Sequence, residues 1–202
     1  MLILSKGSGS PITPVEEENT REAIFAAFKR REVYATTGTR ISLRFFAGSQ
    51  LGADDLKAGV YPDTAYAHSV PMGGEVSGEE PHFIVHAMKD PVGANLDRIQ
   101  IVKGWLDASG KAQEKVYDVV WSGNRKPGAN GKLPPVGDTV DVATATWTNT
   151  IGTPELAATW KDPDFKPNQR AFYYARVLEI PTPRWTAYDA AYFKVKMDPQ
   201  VP

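Results

Sequence analysis

Apolar residues at Ile24, Phe25, Ala27 and Phe28 return to one side of the chain at the 3.6-residue period of a helix. Asn19 and Glu22 form an N-x-x-E start, the acidic run 16–18 lies at the positive end of the dipole, and Lys29, Arg30 and Arg31 crowd the last turn. A helix opening at Asn19 is therefore predicted. After Glu32 the period drops to two. Residues 33–37 are β-prone up to Gly38, and then Ile41, Leu43 and Phe45 alternate with Arg40, Ser42 and Arg44, which predicts a strand with one wet face. Beyond Gly48 the pattern predicts no further helix. Strands are expected over 81–88, 98–105, 115–121, 139–148, 170–180 and 185–195, while 156–160 suits a short strand or one helical turn. The apolar start, residues 1–5, reads as one buried strand.

About seven strands in some 150 residues, separated by 17 glycines and 16 prolines spread along the chain, predict a mainly β fold. The expected architecture is an antiparallel β-sandwich, Ig-like or jelly-roll-like. Its 202 residues carry 23 Lys and Arg against 24 Asp and Glu, a net charge of −1. That balance argues against a nucleic-acid partner or an anionic membrane surface. No run approaches the roughly 18 apolar residues of a membrane span, and the apolar start is too short, with no basic residues before it, for a signal peptide. Cysteine is absent, which removes disulfides, thiolate metal sites and cysteine nucleophiles.

Candidate chemistry is sparse. His82 and His86 have the spacing of a zinc pair on a helix, but the intervening Phe83, Ile84 and Val85 are strand-like and would hold the two backbones roughly 13 Å apart. They are expected to share a face without sharing an ion, and His68 is expected at the surface. Neither a nucleophile elbow nor a phosphate loop is present, and the Asp162-Pro163-Asp164 segment lacks the ligand series of a calcium loop. Strand parity puts Tyr117, Val119 and Trp121 on one face and Phe172, Tyr174 and Leu178 on another; such aromatic faces are expected to form core rather than a sugar-stacking platform. The exception is the stretch from Pro181 to Trp185, where two prolines hold the chain extended and would present Arg184 and Trp185 at a surface or domain junction. Arg176, on the Phe172 face, would need a carboxylate partner if buried. Arg184, Trp185, Arg40 and Arg176 are thus the candidate binding or junction residues; no catalytic residue and no metal ligand is identified.

Six strings resemble the C-terminal part of the family catalogued as domain of unknown function 3604: EENTREAIF (17–25), RREVYATTGTRISLRFFAG (30–48), PMGG (71–74), DPVGANLDRIQIVKGW (90–105), PVGDTVDVATATWTNTIG (135–152) and AFYYARVLEIPTPRWTAYDA (171–190). The final residues, 191–202, depart from the Trp-rich ending associated with that family. Its members resemble the polymerase and histidinol phosphatase (PHP) superfamily, whose barrel binds divalent metal through His and Asp motifs and hydrolyses phosphoester-type bonds. The resemblance implies that those motifs lie upstream of Met1. Residues 1–47 would then be a strand–helix–strand remnant of a PHP-like barrel and 48–202 the sandwich. It implies a non-catalytic structural portion of a metal-dependent hydrolase, with no cofactor in this chain although a divalent metal is expected for the full-length family. The alternative is a free-standing binding module for glycan or protein. Ile24, Phe25 and Phe28 would face an upstream barrel domain, fold back on the sandwich or meet a second copy in a homo-oligomer. Relatives often look exported; the compartment of this chain stays open.

Overall fold

The structure, a computed structural model, describes residues 12–14, 18–57, 61–77 and 80–196. The strand expected over residues 1–5 lies outside that range. Helix α1 runs Arg21–Arg30, and its cap is Thr20 rather than Asn19: the Thr20 hydroxyl accepts from the Ala23 amide at 3.2 Å, filling an orphan donor of the first turn. The helix stops where Arg31 turns left-handed and its amide reaches the carbonyls of Ala27 and Phe28. A short ladder of β1 (Ile12–Pro14) and β2 (Val33–Ala35) flanks it.

The sandwich has two antiparallel sheets. One has the order β4-β3-β5-β8, from β3 (Ser42–Gly48), β4 (Val70–Pro71), β5 (His82–Met88) and β8 (Glu155–Lys161). The other has the order β7-β6-β9, from β6 (Leu96–Leu106), β7 (Ala112–Trp121) and β9 (Ala171–Glu179). Residue alternation puts Phe45, Phe83 and Val85 on the inner face of the first sheet and Ile99, Ile101 and Tyr173 on that of the second. Phe83 is the junction, its ring 5.6 Å from Phe45, 5.4 Å from Trp160 and 4.7 Å from Tyr173. Residues from the leading segment therefore sit in the same sheet as residues well beyond position 48. A smaller core of Phe46, Leu51, Ala65 and Ile84 lies on the opposite face of the first sheet.

Several elements differ from expectation. Residues 185–195 do not form a strand; Trp185–Phe193 is helix α3, because Ala187, Ala190 and Ala191 favour helix and their spacing fits either period. Residues 139–148 form no ladder beyond one isolated antiparallel bridge between Asp141 and Thr146. There the Asp138 carboxylate takes the Val140 amide and Asp141 takes those of Ala143 and Thr144, so local side-chain bonds replace sheet pairing. Two short helical turns, Ala53–Leu56 and α2 (Asp63–His68), were not foreseen; they cover Phe46, which occupies what had been expected to be the wet face of β3. Strand β9 also faces the other way. Tyr173 and Ala175 enter the core, while Phe172 is 54% exposed.

Polar bonds fasten these pieces. Lys103 and Asp162, each at most 2% exposed, form an ion pair across the sandwich; Lys103 Nζ also donates to the Asp164 carbonyl at 2.8 Å, and the Tyr173 hydroxyl donates to Asp162 at 2.7 Å. At the other end, Glu32, 3% exposed, holds α1 down: Tyr66 donates to its Oε1 at 2.6 Å and Arg30 to its Oε2 at 3.2 Å. Gly73 allows that approach, since a Cβ there would lie 2.4 Å from the Arg31 carbonyl oxygen.

Replacing Lys103 by Met strands the Asp162 charge, so Lys103→Met is expected to lower stability by about 3–5 kcal/mol. The double change Lys103→Met with Asp162→Asn should recover part of that loss. Urea unfolding followed by tryptophan fluorescence measures both.

Candidate functional site

Strand β2 ends at Ala35, and Gly38, at φ +108°, turns the chain into β3. The turn is pinned from outside, where the Arg40 amide donates to Asp90 Oδ2 at 2.8 Å. Asp90 also takes the Val92 amide at 3.1 Å, and these two backbone bonds hold its carboxyl below the usual carboxylate range. Beside it the Lys89 ammonium donates to the carbonyls of Asp90, Pro91 and Gly93 at 2.8, 3.1 and 3.0 Å, closing the 90–93 loop around one cation.

Against this turn and loop lies the end of β9. Five consecutive residues, 175–179, line a cleft of about 300 Å³ with Tyr34, Thr36, Thr37 and Thr39 on the facing wall. Residues of both parities line it, so the cleft follows the free edge of β9, the side away from β6. At its inner end Glu179 Oε1 is buried without a hydrogen-bond partner. Burial, reinforced by the neighbouring Asp90 charge, pushes the Glu179 carboxyl up to about 7, with Thr39 and Lys89 pulling the other way. Arg176 lines the cleft from the exposed side, its Nε and Nη2 both donating to Gln100 Oε1 at 2.8 and 2.6 Å. Its partner is an amide on the neighbouring strand, not a carboxylate, because the residue is exposed rather than buried.

Two of the four residues singled out from sequence thus border one place: Arg176 lines the cleft and Arg40 ties down its turn. The other two are not part of its lining. Arg184 is the residue before α3, and Trp185, 69% exposed, opens that helix with its ring outward. His82 Nδ1 meets the Leu51 carbonyl oxygen at 3.0 Å, while His86 Nε2 meets Glu155 Oε1 at 2.6 Å, so the pair on β5 is divided between separate partners. His68 is exposed at the end of α2. Among the described residues no three His, Asp or Glu side chains are grouped to hold a metal ion, and no helix is long and apolar enough to cross a membrane. The cleft offers hydroxyls, one guanidinium and one proton-sharing carboxyl. It has the groups to bind a small polar molecule.

Three of the strings quoted from the sequence, around positions 36, 90 and 179, meet at this cleft. Comparison with known families bears out the family itself: the profile of the family described as "Protein of unknown function (DUF3604)" matches residues 4–202. The chain belongs to the DUF3604 family. The match takes in the final residues, 191–202, which had been set apart as departing from the family's ending. No curated protein and no solved structure matches the chain. Asp90 and Glu179 were missed as partners because 89 positions separate them, from 179 − 90, and no periodic signal links residues so far apart.

The raised Glu179 carboxyl sets a pH dependence. The folded protein holds this proton more tightly than the unfolded chain, whose glutamate titrates near 4.5, so the contribution is full below about 4.5 and is lost as pH rises through about 7. Discounted for partial solvent exposure, the loss is on the order of 1 kcal/mol. Thermal melts between pH 5 and 8 should show Tm falling in the native protein relative to Glu179→Gln, which carries no titrating proton at this position.

Proposed function

We propose that this DUF3604 chain is the non-catalytic, structural portion of a PHP-like metal-dependent hydrolase, a sandwich that buttresses a barrel carrying the metal motifs. The carrying observation is the state of α1. Its C-terminal end is fixed to the sandwich through buried Glu32, yet Phe25 and Phe28 point outward, 63% and 44% exposed. Two phenylalanines on a helix that is otherwise firmly placed are the kind of surface that another domain covers. In this reading the upstream barrel is that domain, packing on Ile24, Phe25 and Phe28. The donor set is consistent with a supporting role: the divalent ion implied by the family resemblance does not fit the side chains of the described residues, where His82 and His86 are engaged separately. Such an ion belongs to the barrel in this proposal, and no step of hydrolysis is assigned to the present residues.

A second reading, a binding module, draws on the exposed Phe172 of β9 and the half-buried Tyr174 stacked beside it.

Two measurements test the structural role. Elemental analysis of the purified chain for Zn, Mn and Fe, with assays on bis(p-nitrophenyl) phosphate, should find neither bound metal nor turnover; stoichiometric metal with turnover abolished by a chelator would overturn the proposal. Co-expression with a barrel half of a DUF3604 protein should give a co-purifying complex, and Phe25→Glu with Phe28→Glu should abolish it. A complex indifferent to both substitutions would remove α1 as the contact.

A further inference from the structure

The Phe172 and Tyr174 face of β9 was expected to be core; it lies instead on the outer side of the three-stranded sheet, with Phe172 54% exposed and Tyr174 half-buried. Along it, cross-strand neighbours form rows: Glu114, Gly104 and Phe172 in one, Val116, Val102 and Tyr174 in the next, Asp118, Gln100 and Arg176 in the third. The Phe172 ring leans across the glycine, where a Cβ on Gly104 would lie 2.2 Å from its Cζ. Phe172 and Tyr174 have ring planes within 11° of parallel and centroids 6.4 Å apart. Val102 is fully buried between Tyr174 and Val116 in its row, so the face has an apolar floor. At the end of the sheet this floor widens into a hollow of about 480 Å³, walled by Phe172, Leu106 and Trp105 and edged by Arg170, Glu114 and Gln113.

We infer that this face is a binding site for a neutral oligosaccharide, with a pyranose ring stacked on Phe172 and the next unit running toward Tyr174. The C–H face of a sugar ring is weakly positive and meets the negative π-face of an aromatic ring; the hydroxyls around its rim need both donors and acceptors. Both are supplied here. Arg170 and Glu114 stand on opposite sides of the hollow, and Arg176, Gln100 and Asp118 continue along the same face, Gln100 donating to Asp118 at 2.7 Å. The opposed charges leave no net field for a polyanion, and a hydrocarbon ligand would strip water from Arg170 and Glu114 at the rim of the hollow without replacing it. This inference is independent of the structural role proposed for α1, which lies on a different element.

Isothermal titration of the full chain with cellohexaose, xylohexaose, mannohexaose and chitohexaose tests it. At least one is expected to bind with Kd below about 1 mM. Phe172→Ala should weaken that binding about tenfold or more. Gly104→Ala should weaken it too, by lifting the ring, with circular dichroism unchanged in both variants. Failure of all four sugars to bind, or binding that survives Phe172→Ala, overturns the inference. So does binding that vanishes in Trp185→Ala while persisting in Phe172→Ala, which would place the sugar on α3.

Discussion

The sandwich is held in register by a buried polar bolt near one end. Asp162 follows the edge strand of one sheet, and the two groups that engage its Oδ2, the Lys103 ammonium and the Tyr173 hydroxyl, stand on neighbouring strands of the other. An isolated carboxylate or ammonium at that depth would be prohibitively desolvated, so the arrangement tolerates little sliding. Because Tyr173 must reach inward to Asp162, its neighbours Phe172 and Tyr174 must point outward. One buried ion pair thereby decides which side of β9 is core and which side meets solvent. It also anchors Asp164, whose carboxylate takes the Tyr117 hydroxyl at 2.6 Å and so draws β7 to the same point.

Most of the sheet framework was legible from period-two alternation. Strands β3, β5, β6, β7 and β9 overlap the stretches where branched and aromatic residues recur, and α1 follows from the 3.6-residue spacing of Ile24, Phe25 and Phe28. What failed had a physical reason in each instance. On β9 both parities are apolar, Phe172 and Tyr174 on one side and Tyr173, Ala175 and Val177 on the other, so alternation alone could not choose the inner face. The decisive partner, Asp162, lies in a turn that looked like simple chain reversal. In Trp185–Phe193 aromatics and alanines fit either a strand or a helix, and only alanine propensity favours the helix. Between Thr139 and Thr148 threonines and valines look β-prone until the aspartates claim the local amides.

The candidate cleft was legible only in part, through Arg40 and Arg176. Each is a cation in an otherwise apolar or turn-like setting, and such residues attract notice from sequence. Glu179 and Asp90 do not, because a carboxylate at a strand end and one in a proline-containing loop are commonplace. Their significance comes from being brought within electrostatic range of one another, by the turn at Gly38 and the Lys89-centred loop. Family membership is silent on what these residues do.

Gly73 carries a consequence for how the molecule can vary. Its α-carbon rests against the last carbonyls of the first helix, at a backbone angle of +92° that side chains seldom adopt. It acts as a mechanical stop: any larger residue would wedge the helix off its seat and swing the outward phenylalanines through a wide arc, since a small displacement at a pivot grows along a rigid rod. The aim of that helix toward whatever it touches therefore rests, alongside the Glu32 bonds, on a residue whose contribution is to be missing a side chain.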